Sequence, residues 1–196
     1  MPSNFMWAPR TGIKASLRRC TILLIALALS PIALAQDEAR ALLQTVLGEH
    51  IETPTLVGQT TFKVAFWKIY NISLYTDSTN FNDEAPYALE IEYLRDFSGE
   101  AIAEKSVQLI LDQGFEEGER LDLWQQQMTE VFPDIDKGTV LTGIHTRERT
   151  SVFYGDGKYL GVIEDPEFGQ YFFGIWLAED TSEPNMRTDL LGSESL

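Results

Sequence analysis

Between residues 150 and 176 the apolar period changes from two to about 3.6 within a few positions. "TSVFY" (150–154) and "KYLGVIE" (158–164) read as strands, and Asp156-Gly157 between them supplies the positive φ of a tight turn. After them, Phe168, Tyr171, Phe172, Ile175 and Trp176 recur at the spacing of a helix lying on a core. Asp165 is a good N-cap, Pro166 suits the first helical position, and Glu167 suits the helix dipole. A hairpin that runs into a core-facing helix commits the chain to a sheet with helical cover.

The same stretch invites two chemical readings, and both fail. "GDGK" (155–158) lacks the Ser or Thr that follows the lysine of a phosphate-binding loop, and a strand follows it rather than a helix. A calcium loop beginning at Asp156 places Lys158 and Leu160 where oxygen ligands belong.

Upstream the order is strands and then helices. "TFKVAFWKIYNISLY" (61–75) is aromatic and β-branched, fitting one bent strand or two. "PYALEIEYLRDF" (86–97) alternates Ala88, Glu90 and Glu92 against Leu89, Ile91 and Tyr93, which predicts a half-buried strand. Ser98 caps a predicted helix to about Gln113, with Ile102, Ser106, Leu109 and Ile110 on one face and Gly114 ending it. A second predicted helix runs from about Glu117 to Val131 and stops at Pro133. "TVLTGIHT" (139–146) is another strand. Residues 36–50 predict a short leading helix or a loosely held arm. Strands, helices, strands, helix is the order of an α+β domain with an antiparallel sheet.

Residues 1–35 read as an export leader. Arg10, Lys14, Arg18 and Arg19 precede an apolar run, Ile22 to Leu34, that ends in the small-x-small pattern Ala33-Leu34-Ala35. Cleavage after Ala35 leaves a single domain, 36–196, and a periplasmic location. The leader holds four of the 15 basic residues and none of the 30 acidic ones, so residues 36–196 carry a formal charge of −19. That acidity argues against nucleic acid and against an anionic membrane surface, both of which need basic patches. The only cysteine, Cys20, lies in the leader, so the domain has no disulfide, thiol nucleophile or thiolate metal site.

His50 and His145 stand far apart with no Cys or second His near either, and both are expected to face solvent. No metal and no cofactor is expected, and no G-x-S-x-G elbow supports a serine triad. Arg95, in "YLRDF" between Tyr93 and Phe97, is the most interesting cation, because a partly buried arginine binds a carboxylate bidentately. Its plainer role is an ion pair with Asp96 or a nearby Glu. Phe62, Phe66, Trp67, Tyr70 and Tyr75 are expected mostly in the core, some lining an apolar cleft.

"LVGQTTFKVAFWKIYNISLYT" (56–76), "YLRDFSGEAIAEKS" (93–106) and "GDGKYLGVIEDPEFGQYFFGIWLAEDTSEPNMRTDLLG" (155–192) together resemble the chalcone isomerase-like family, in its exported bacterial branch. The resemblance spans roughly residues 40–192. It implies an open-faced sandwich, an antiparallel sheet covered by a helical layer. Plant enzymes of this family close a chalcone to a flavanone, and relatives without that activity bind fatty acids in the same cleft.

The family's enzymatic residues are mostly absent here. The early-strand Arg falls near Thr60 or Thr61, the catalytic Thr at about Tyr70, the Tyr of the first helix at Ile102 and the following Asn at Leu109. The resemblance therefore implies a non-catalytic protein that binds an apolar small molecule such as a fatty acid. The expected ligand-binding residues are Arg95, Tyr70, Tyr93, Thr61, Ile102 and Leu109, with Arg95 and Tyr70 or Tyr93 as a substitute pair for the carboxylate. The alternatives are an isomerase (an intramolecular lyase) acting on a chalcone-like enone with Tyr70 as donor, and an envelope partner protein with no ligand. Protein partners are left open.

Overall fold

The computed structural model describes residues 31–192. The leader falls mostly outside them. A helix, α1 (Pro31–Gly48), runs across the expected cleavage position. Six strands follow in one antiparallel sheet whose spatial order is the chain order: β1 (Thr55–Val64), β2 (Trp67–Thr76), β3 (Tyr87–Tyr93), β4 (Val140–His145), β5 (Ser151–Gly155) and β6 (Lys158–Ile163). Helices α2 (Gly99–Asp112) and α3 (Gly118–Val131) lie between β3 and β4 in sequence. Helices α4 (Pro166–Leu177) and α5 (Pro184–Leu190) close the chain. The order read from the sequence is thus the architecture observed, an α+β open-faced sandwich.

Alternation along the strands sorts the two faces. On β3, Tyr87, Leu89, Ile91 and Tyr93 join a large core with α2, α3 and α4. Ala88 turns the other way and meets Ile144, Val152 and Tyr154 beneath Val46 and Leu47 at the end of α1. The leading segment is therefore a docked helix, not a loose arm, and it covers part of the open face. Tyr75, expected in the core, also packs on this second cluster.

Ends of elements follow local chemistry. Asp156 and Gly157 have φ of 47° and 72°, the left-handed pair that a two-residue hairpin turn demands. Ser98 Oγ accepts from the Ala101 amide at 3.2 Å, capping α2. Gly99 matters for another reason. A Cβ there would stand 2.0 Å from the Phe132 carbonyl oxygen, so only glycine lets the start of α2 approach the end of α3.

The structure chooses between the alternatives at 61–75, adds a helix and reverses one expectation. The run 61–75 is two strands, and the first begins earlier, at Thr55. The turn between them is Ala65-Phe66, with Ala65 at φ 54°, and it carries no Gly or Asn to announce it. The segment after Pro184 forms α5, a short polar helix set against β1. His145 is buried rather than solvent-facing. It is 5% exposed, stacked on Tyr87 with ring centres 5.0 Å apart and edge-on to Phe173. Burial, joined by the nearby Arg149 charge, lowers its pKa, so it stays neutral. His50 is half-buried, with Nε2 3.0 Å from the Tyr154 hydroxyl.

Candidate functional site

Helix α2 does not seal against the sheet. Between them, and under the C-terminal half of α4, lies a cavity of about 630 Å³. This is within the range of small-molecule sites, about 300–1,000 Å³. The floor comes from inward positions of successive strands: Phe62 and Val64, Tyr70, Leu89, Ile91 and Tyr93, Leu141 and Gly143, then Phe153. The roof comes from one face of α2, with Ala101, Ile102, Lys105, Ser106, Leu109 and Asp112, and from Phe172, Phe173, Ile175 and Trp176 on α4. Phe97, Phe132, Ser182 and Glu183 complete the wall.

Polar groups are few and placed. The Trp176 indole Nε1 donates to the Tyr70 oxygen at 2.9 Å, which aims the phenol and leaves its own proton to give. Tyr70 is held from both sides, stacked on Phe62 at 5.0 Å and edge-on to Tyr93 at 6.0 Å. Burial pushes the Tyr70 pKa up to about 12, although the Trp176 bond works against it. Burial raises Tyr93 too, with Tyr70 adding to the shift. Both phenols are therefore neutral donors near neutral pH and not bases. The Ser106 hydroxyl is turned back to the Ile102 carbonyl oxygen at 2.8 Å.

Charges stay at the rim. Lys105, Asp112 and Glu183 line the cavity yet are exposed. Lys105 is its one cation among the described residues, and no His or Arg lines it. Seven residues separate Lys105 from Asp112, about 10 Å along the helix, so the lysine has that stretch of rim to itself on α2.

Tyr70, Tyr93, Ile102 and Leu109 come together in this lining. Arg95 and Thr61 stand elsewhere. The Arg95 guanidinium lies over the Trp67 ring, 4.3 Å from its centre, and its Nε donates to the Lys68 carbonyl oxygen at 3.3 Å. Strand β3 ends at Tyr93, and the bend that follows turns Arg95 towards β2. Thr61 is one position from the inward-facing Phe62, so it points to the opposite face. There it donates to Asn71 Oδ1 at 2.8 Å, and Asn71 Nδ2 donates to Glu92 Oε2 at 2.8 Å. Phe66 and Trp67, expected mostly in the core, are exposed. Lys105 was missed by sequence reasoning, although it lies three residues after Ile102 and four before Leu109, on the same helical face. The Trp176 indole was missed as a polar group because its spacing reads as core.

No group of His, Cys, Asp or Glu among the described residues is arranged to hold a metal ion. The site can enclose an apolar body, offer it one or two phenolic hydrogen bonds and meet a negative end with an ammonium.

The fold agrees with the comparison to known proteins. The chain matches the chalcone isomerase-like family over residues 41–192, and it belongs to that family. An uncharacterized protein of Haemophilus influenzae is 25% identical over 137 residues, 69% of this chain and 67% of that one. A crystal structure of an Arabidopsis thaliana fatty-acid binding protein superposes with a TM-score of 0.59 at 10% identity, covering 71% of this chain and 87% of that one. At that identity the likeness shows the fold.

Proposed function

We propose that this protein binds a fatty acid or a similar long-chain amphiphile in the cavity and does not cyclise it. The observation that carries the reading is the lining: mostly aliphatic and aromatic side chains, with the charges of Lys105, Asp112 and Glu183 kept to the exposed rim and Lys105 the one cation among them. An acyl chain fills such a space by the hydrophobic effect, at about 25 cal/mol per Å² of apolar surface covered. The carboxylate then stays at the wet edge beside Lys105, where desolvation is smallest. Ile102 and Leu109, where the resemblance puts an enzymatic Tyr and Asn, give the roof the same apolar character. The Arabidopsis neighbour, named a fatty-acid binding protein, supports the reading through shared fold. The basic, apolar and small-residue order of residues 1–35 supports a periplasmic site of action.

The cavity predicts a difference between an acid and its ester. Lys105→Ala is expected to weaken palmitate binding about fivefold, the scale of one exposed charge pair near 1 kcal/mol. Binding of methyl palmitate is expected to stay as it was, measured by calorimetry on delipidated protein. An equal effect on both removes Lys105 as the partner of the head group. No binding of either removes the fatty-acid reading. Turnover of a chalcone, lost in Tyr70→Phe, would instead favour an isomerase that uses the Tyr70 hydroxyl.

A further inference from the structure

The β1–β2 hairpin ends in a tip that leaves three apolar side chains in solvent. Val64, Phe66 and Trp67 are 54%, 81% and 51% exposed. Phe66 and Trp67 lean together, ring centres 4.9 Å apart. Single exposed apolar residues are ordinary, but a contiguous cluster at a protruding turn marks a contact surface. Exposed Lys63 and Lys68 flank this wedge, and the Arg95 guanidinium covers one face of Trp67. Three cations thus collar the tip of a chain in which acidic residues outnumber basic ones 30 to 15.

We propose that this tip docks the protein on a bilayer that contains anionic phospholipid. Phe66 and Trp67 enter the boundary between head groups and acyl chains, where aromatic rings are favoured. Lys63, Lys68 and Arg95 meet the phosphates, as Arg95 is held in place by its ring contact. The net charge that argued against an anionic membrane is a property of the whole chain; the local sign at the tip is the reverse. Repulsion of the acidic remainder then orients the molecule tip first. The hairpin also connects the two features, because Val64 is both part of the wedge and part of the cavity lining. A docked tip sets the cavity beside the source of its ligand. Docking itself needs only the tip and holds whether or not the ligand is a fatty acid.

The test is co-sedimentation of the protein with phosphatidylcholine vesicles, with and without phosphatidylglycerol. Binding to the phosphatidylglycerol vesicles is expected to fall at least tenfold in Phe66→Asp, and about twenty-fivefold when Lys63 and Lys68 both become Gln, near fivefold per lost cation. Brominated lipid is expected to quench Trp67, by difference from Trp67→Phe. Residues 10–34 are themselves basic and apolar, so the loss on substitution is the readout, not binding alone. Binding unchanged in both tip variants overturns the proposal. So do tip-dependent dimers in sedimentation velocity without vesicle binding, which would assign the tip to a second copy of the chain. Palmitate binding without vesicles, measured on the same variants, is expected to be unaltered. Its absence in the wild type would end the fatty-acid reading and leave docking standing.

Discussion

Leu109→Trp is expected to weaken binding of a long acyl chain about a hundredfold while the protein stays folded. Leu109 faces the cavity from the middle of the α2 face, between Lys105 and Asp112. It is only partly buried and borders the cavity, so an indole has room to enter without forcing the backbone. What it displaces is ligand. Each methylene kept out of an apolar site forfeits about 0.8 kcal/mol, so losing three or four costs about 3 kcal/mol, or roughly a hundredfold in Kd. Calorimetry with palmitate, alongside thermal melting to show an intact fold, measures both halves. An unchanged Kd in a folded variant would place the ligand somewhere other than beneath α2. The substitution separates the cavity from the rim, since Lys105→Ala removes a charge at the exposed edge and fills none of the space.

The roof and floor that Leu109→Trp probes were readable in different degrees. Two-residue alternation at 86–97 and helical spacing at 98–113 are dictated by burial on one side, so the pattern alone puts Leu89, Ile91, Tyr93, Ile102 and Leu109 on inner faces. The same rule sends Thr61 outward once Phe62 points in. It gives no help with Arg95, because the strand stops at Tyr93 and the direction of a side chain after a bend is set by a cross-strand neighbour, Trp67. The Ala65-Phe66 turn was hidden for a related reason. Turn chemistry normally shows as Gly, Asn or Asp, and here an alanine takes the positive φ. His145 looked solvent-facing because a lone histidine says nothing about what stacks on it. The cavity itself is a gap between two correctly read layers. Its existence depends on how closely α2 approaches the sheet, which no local pattern encodes.

Asp165→Ala is expected to cost about 3 kcal/mol of stability. One carboxylate joins two helices here, α4 and α3. Its Oδ1 accepts from the Glu167 amide at 3.0 Å and caps α4. Its Oδ2 accepts from the Trp124 indole at 3.0 Å and from Arg120 Nε at 2.9 Å, both on α3. Losing a cap costs about 1 kcal/mol, and leaving the N–H of the fully buried Trp124 without a partner costs about 1–3 kcal/mol more. Partial burial alone would raise the Asp165 pKa, but the Glu167 amide, the Trp124 indole and the Arg120 guanidinium outweigh it and hold the carboxyl below its usual range. The folded pKa is therefore depressed relative to the unfolded chain. The stability this group contributes is full above the ordinary aspartate value, near 4, and is lost as pH falls through the lower folded value. Glu117 and Glu167 also face Arg120, so the guanidinium keeps two carboxylates when Asp165 is neutralised. Asp165→Asn keeps a capping side chain but no charge. It is expected to lose less stability than Ala at neutral pH and to flatten the acid limb of a urea-midpoint series. An acid limb as steep in Asn as in wild type would mean that other carboxylates carry the pH dependence. Because α4 supplies the Phe172, Phe173, Ile175 and Trp176 wall, the same series run with palmitate present is expected to show ligand binding fail with the unfolding transition, not before it.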